Sequence, residues 1–188
     1  MYARRQGGQE LTFDFAAGLI DDNLLMVDRE TGSVWSQLAG KAVSGSMRDT
    51  PLEALPSIQT TWRFWWSQHP DTRVLSLPGE AGNPYVYRAF SKGRPAQDAP
   101  HDITDLGLGL TIGGDSWFFP LIELGRTSSP HRVTIGGEMV SIHHHVDDLT
   151  AWAENEAGGL LVSVLAYRDG WLSFSPDSHL FQAPGEDP

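Results

Sequence analysis

The chain contains no cysteine, so it can form no disulfide, thiolate metal site or thiol nucleophile. Redox chemistry by this chain alone would need a bound metal or cofactor. It is also short of positive charge. Thirteen Lys and Arg stand against 24 Asp and Glu, and the net charge of −11 repels phosphate backbones, which argues against nucleic acid as a partner. No apolar run approaches the roughly 18 residues of a membrane-spanning helix, and Met1 to Gly8 lacks the apolar stretch of an export signal. The Gly-x-Ser-x-Gly elbow, the phosphate-binding Gly-x-x-x-x-Gly-Lys loop and the His-Glu-x-x-His helix are missing too, so hydrolase and nucleotide readings lack support.

What the chain does have is turn formers and aromatics. Its 188 residues, 40% of them hydrophobic, suit one domain with a core, with residues 91–104 as an exposed loop or hinge between two halves. Twenty Gly, twelve Pro, seven Trp, eight Phe and four Tyr favour short strands and many turns over long helices. Glu10 to Phe15 alternates apolar and polar residues, and Asn23 to Asp28 closes on the turn-prone Glu30-Thr31-Gly32 before Val34 and Trp35 resume. Residues 10–45 therefore read as one antiparallel sheet. Leu110-Thr111-Ile112-Gly113-Gly114-Asp115 recurs 23 residues later as Val133-Thr134-Ile135-Gly136-Gly137-Glu138. Each Gly-Gly predicts a two-residue hairpin turn with positive φ at both positions. A helix is expected from Asp147 or Asp148 to Ala157, with Leu149, Trp152, Ala153 and Glu156 on one face. A strand pair follows, Leu160 to Tyr167 with Trp171 to Phe174, and then a frayed acidic tail from Ala183. The fold class is mainly β: antiparallel sheets, as a barrel or a sandwich, with one or two short helices.

Three groups of residues are candidates for chemistry. Asp28, Arg29, Thr31, Ser33, Trp35 and Gln37 crowd charge, hydroxyl, indole and amide into one turn. They could bind a polar ligand, or Asp28 and Ser33 could simply hydrogen-bond the turn while Trp35 packs the core. Trp62, Trp65, Trp66 and His69 lie at i, i+3, i+4 and i+7 of a short helix capped by Thr60 or Thr61 and ended by Pro70. This stripe is most simply a core face. Its functional version makes His69 an acid, base or metal ligand oriented by Asp71. His143 and His145 share one face of a strand and could offer two imidazoles to a divalent metal, zinc or copper. The third donor would come from Asp147, Asp148, His101 or His179. Pairing Val133 with Val140 and Arg132 with Ser141 puts His144 on the apolar face and leaves His143 and His145 on the other.

Met26 to Gly45 (MVDRETGSVWSQLAGKAVSG), Leu55 to Ser76 (LPSIQTTWRFWWSQHPDTRVLS) and Leu110 to Leu121 (LTIGGDSWFFPL) resemble a bacterial family, the domain of unknown function 3179. The first two match its D-R-x-T-G-S-x-W-x-Q and T-T-W…W…H-P-D-T patterns, and the third its glycine-turn hairpin ending in aromatic-Pro-Leu. Members carry a Cys-Pro-Leu-Cys-like segment just upstream of the point matching Tyr2, with selenocysteine in some, and many are exported. The resemblance thus implies either such a segment and an export signal ahead of Met1, with the protein outside the cytoplasm, or a thiol-less branch of the family that is cytoplasmic as written. It carries no activity with it. The expected function is a non-enzymatic binding or accessory domain for a small molecule or protein, the thiol-less remainder of an exported redox or metal-handling protein. The alternative is a histidine-dependent metal-binding protein or metalloenzyme.

Overall fold

The computed structural model describes residues 1–20, 23–74 and 103–185. Most of the expected hinge at 91–104, together with His101 and the last three residues of the acidic tail, lies outside them. A small hairpin, β1 (Arg5–Gln6) and β2 (Gln9–Glu10), leads into a four-stranded antiparallel meander. Its strands are β3 (Phe13–Ile20), β4 (Asn23–Asp28), β5 (Val34–Ser36) and β6 (Lys41–Ser44), in that order across the sheet. This is the sheet expected over residues 10–45, and it packs Leu11, Trp35, Ala42 and Leu52 into a core of its own.

Helix α1 (Trp62–Gln68) comes next. Thr61 caps it in extended backbone, its hydroxyl accepting the Phe64 amide at 3.2 Å, and the helix stops at His69, ahead of Pro70.

The remainder of the chain runs through β7 (Leu106–Ile112), β8 (Asp115–Pro120), α2 (Leu121–Leu124), β9 (His131–Ile135), β10 (Glu138–His145), β11 (Thr150–Asn155), β12 (Val164–Tyr167), α3 (Arg168–Phe174) and β13 (His179–Leu180). Two sheets result, ordered β12-β7-β8-β13 and β11-β10-β9. Both Gly-Gly hairpins form as expected, with φ of 59° and 87° at Gly113 and Gly114 and of 56° and 83° at Gly136 and Gly137. The two turns also meet: a Cβ on Gly136 would collide with the Ile112 carbonyl, and the Gly136 amide donates to Asp115 Oδ2 at 3.0 Å.

The sheets pack face to face. Leu108, Leu110 and Phe119 of one oppose Ile135, Val140 and Ile142 of the other in one continuous core. Each such buried side chain contributes roughly 1.5–3 kcal/mol relative to exposure. On the opposite face of β7, Gly109 leaves room for the Trp171 indole of α3, which a Cβ would strike. No sheet of the described residues closes into a barrel, and all pairing is antiparallel except the short parallel contact of β13 with β8.

Three expectations are corrected. Residues 147–157 are not a helix. Val146–Asp148 make one 3-10 turn, Leu149 takes a left-handed φ of 49°, and β11 follows, pairing His143 with Trp152 and Ile142 with Ala153. The strand expected from Trp171 to Phe174 is α3, and β12 pairs with β7 instead. With α1 and α2, that makes three short helices among the described residues, against the one or two expected.

Candidate functional site

The Asp28 turn is closed on itself. Asp28, Ser33 and Trp35 are wholly buried. The Asp28 carboxylate accepts from the Trp35 indole and from the Thr31 hydroxyl, both at 2.8 Å, and from the Thr31 amide. Burial alone would raise the Asp28 carboxyl, but these hydrogen bonds outweigh it and hold the group below the ordinary carboxylate range. Ser33 Oγ accepts the Met47 amide at 3.1 Å and meets Thr31 Oγ1 at 2.7 Å. Arg29 is exposed and grips Asp14 through two hydrogen bonds of 2.6 and 2.8 Å. Gln37 is exposed, and its carbonyl accepts the Tyr2 hydroxyl.

The other two groups, some eighty residues apart in sequence, come together. The register is as expected, Val133 opposite Val140 and Arg132 opposite Ser141, so His143 and His145 share the face of β10 turned away from the core. Helix α1 lies on that face, held by Asp148. This nearly buried carboxylate accepts from the Thr61 hydroxyl and Arg63 Nε, both at 2.8 Å, and His145 Nδ1 stands 3.0 Å from its other oxygen. The Arg63 and Thr61 hydrogen bonds, against the opposing effect of burial, keep its carboxyl below the usual range. Thr60 and Thr150 touch hydroxyl to hydroxyl at 2.6 Å, closing one end of the seam.

Between helix and sheet runs a cleft of about 270 Å³ whose walls include Thr60, Phe64, Trp65, His69, Trp152 and Glu154. Every ring in it is fixed by a neighbour. The Trp65 indole donates to Thr72 Oγ1 at 2.8 Å and lies 4.1 Å from the His69 ring. The Trp152 indole stacks on His143 at 4.9 Å, nearly parallel, and donates to Glu154 Oε1 at 3.0 Å. His143 Nε2 stands 3.1 Å from Glu154 Oε2. Phe64 sits 5.0 Å from the His145 ring and 6.2 Å from that of Trp152.

Some candidates are not where the sequence put them. Trp62 and Trp66 do not face a core: they lean on each other at 5.5 Å and are 53% and 46% exposed. Asp71 is exposed and makes no hydrogen bond with His69 among the described residues. His143 and His145 each have their own carboxylate, and among the described residues no group of three His, Asp or Glu side chains is placed to hold a metal ion. His144, on the inner side as expected, has its pKa lowered by burial and lies 3.5 Å from Thr127 Oγ1. Trp152, expected on a helix face, and Glu154 are walls of the cleft. The period-two alternation of Ala151-Trp152-Ala153-Glu154 was the signal that could have placed them.

Among the described residues no helix is long and apolar enough to cross a membrane. Neither a curated protein nor a solved structure matches the chain. The family model described as Protein of unknown function (DUF3179) matches residues 1–158, a span that takes in α1, β11 and both walls of the cleft, and the chain belongs to that family.

Proposed function

We propose that the chain is a non-enzymatic binding domain whose ligand seat is the cleft between α1 and β11. One observation carries this reading: two aromatic and histidine clusters, distant in sequence, converge on one open space instead of filling it. Aromatic walls with a few fixed polar groups are the usual make-up of a small-molecule site, and about 270 Å³ falls at the small end of such sites. Binding is favoured over turnover because the buried carboxylate at the seam serves as an anchor. Asp148, held below the usual carboxylate range, is a weak base and spends its lone pairs fastening α1.

The indole N–H signals of Trp65 and Trp152 report on the cleft. With choline, glucose and benzoate as cationic, neutral and anionic probes in the millimolar range, at least one class should move those two signals while the buried Trp35 signal stays put. Trp152→Ala should abolish the response. If no probe moves either indole, the reading falls.

A further inference from the structure

We infer that the cleft selects small organic cations of the alkylammonium kind, an inference that rests on the cleft being a ligand site. The first ground is the walls. The faces of Phe64, Trp65 and Trp152 carry the negative side of the ring quadrupole, which attracts a cation and gives an anion nothing. His143 stacks over one face of Trp152, and the indole is among the walls of the cleft.

The second ground is the charge balance. Glu154 is the one carboxylate among the described residues lining the cleft, and no Lys or Arg lines it. The nearby Arg63 guanidinium is committed to Asp148 and to the Asp147 carbonyl. Glu154 accepts one hydrogen bond, from Trp152 Nε1 on Oε1, while His143 Nε2 stands 3.1 Å from Oε2, so at least half of a carboxylate's acceptor capacity is left. These contacts aim the carboxylate without using it up, so its remaining lone pairs and its charge are available to a guest. The net charge of −11 adds a field that draws cations toward the surface. A neutral guest would use the rings and at most a hydroxyl bond to the carboxylate, leaving its charge unpaired, and an anion would meet it at close range.

The third ground is rigidity. The Trp65–Thr72, Trp152–Glu154 and His143–Trp152 contacts fix the walls before any guest arrives, so little ordering cost is left for binding.

The test compares choline with 3,3-dimethyl-1-butanol, the same shape without the charge, on the whole chain at pH 8, above the ordinary imidazole range. The Trp65 and Trp152 indole signals serve as readout. Choline should bind about tenfold more tightly than the alcohol, the size expected of a partly desolvated cation on aromatic faces. Glu154→Gln should narrow that preference to about threefold, the part that the aromatic faces alone supply, and a variant that melts with the parent keeps that comparison clean. If Glu154→Gln melts early, the parent's choline-to-alcohol ratio decides alone. Equal binding of the alcohol, or preferred binding of glucose or benzoate, overturns the cation inference and leaves the cleft as a ligand site. Silence of both indoles to every probe removes the inference together with the reading beneath it.

Discussion

The turn at Asp28 and the cleft beside α1 are built from the same kinds of side chain, a carboxylate beside an indole with hydroxyls near by, yet they end in opposite states. At Asp28 the carboxylate, indole and hydroxyls satisfy one another with no open space left, while Arg29 and Gln37 stay on the surface. At Glu154 the carboxylate and the Trp152 indole also bond to each other, but the rings stand around a void that nothing in the described chain fills. The difference is one of burial. A wholly buried carboxylate must find all its donors at home or destabilise the fold, whereas a partly exposed one can keep part of its capacity for a guest. Composition alone does not distinguish a structural knot from a binding site.

That comparison is broken most forcefully from the Asp28 side. Trp35 is fully buried, packs edge-on against Phe13 at 5.8 Å and donates to Asp28. Trp35→Ala should cost on the order of 3–5 kcal/mol in denaturant unfolding, the range for large aromatic truncations in cores. Asp28→Ala strands the indole N–H and the Thr31 donors, at roughly 2–3 kcal/mol. Loss of under 1 kcal/mol in either would mean that the turn is not the knot described, and a ligand role for it would reopen.

A smaller, local effect is expected at Asp148. Its folded pKa is depressed, so the stability it contributes is fully present above the unfolded carboxylate value near 4 and is lost as pH falls through the folded one. Asp148→Asn should reproduce at neutral pH what acid does to the parent. Helix α1 loosens from the sheet, and amide protection drops at Trp65 and His69, which donate the hydrogen bonds at its two ends to the Thr61 and Trp65 carbonyls. The core around Ile142 should keep its protection. If protection falls everywhere together, α1 is part of the global fold and the cleft has no separately movable wall.

Strands and hairpins were legible in the sequence wherever turn chemistry announced them. Gly113-Gly114 and Gly136-Gly137 left little choice of turn, and the pairing of Val133 with Val140 fixed which histidines face outward. β11 was not legible. Leu149, Trp152, Ala153 and Glu156 fall at helical spacing, and alanine favours helices, but Ala151 and Ala153 are small because two sheets pack closely over them. The aromatic run at Trp171 misled in the other direction, since what decides that segment is the gap over Gly109, a feature of another strand. The cleft was half legible: each wall was noticed separately, and only the docking of α1 through Asp148, a contact between residues 87 apart, joins them.

The smallest effect is expected at Trp62, and it gives the sharpest check of which face of α1 does what. The stripe at i, i+3, i+4 and i+7 predicts a core face, for which Trp62→Ala would cost as much as Trp35→Ala. The structure splits the stripe. Trp65 and His69 turn to the cleft, while Trp62 and Trp66 stay about half exposed, each mainly the other's neighbour. Trp62→Ala then loses one aromatic contact and some partly buried area, about 0.5–1 kcal/mol by the usual worth of such pairs, and alanine's better helix propensity offsets part of that. Denaturant unfolding of the single variant gives the number directly. The indole signals of Trp65 and Trp152 should keep the parent's positions, because Trp62 is not a wall of the cleft. A cost of 3 kcal/mol or more would show that the outer face of α1 is covered in the folded chain, and a shift of the Trp65 indole would show that the two faces are coupled. In either case α1 would have to be read as a buried element, and the contrast between a closed Asp28 knot and an open cleft would lose its second half.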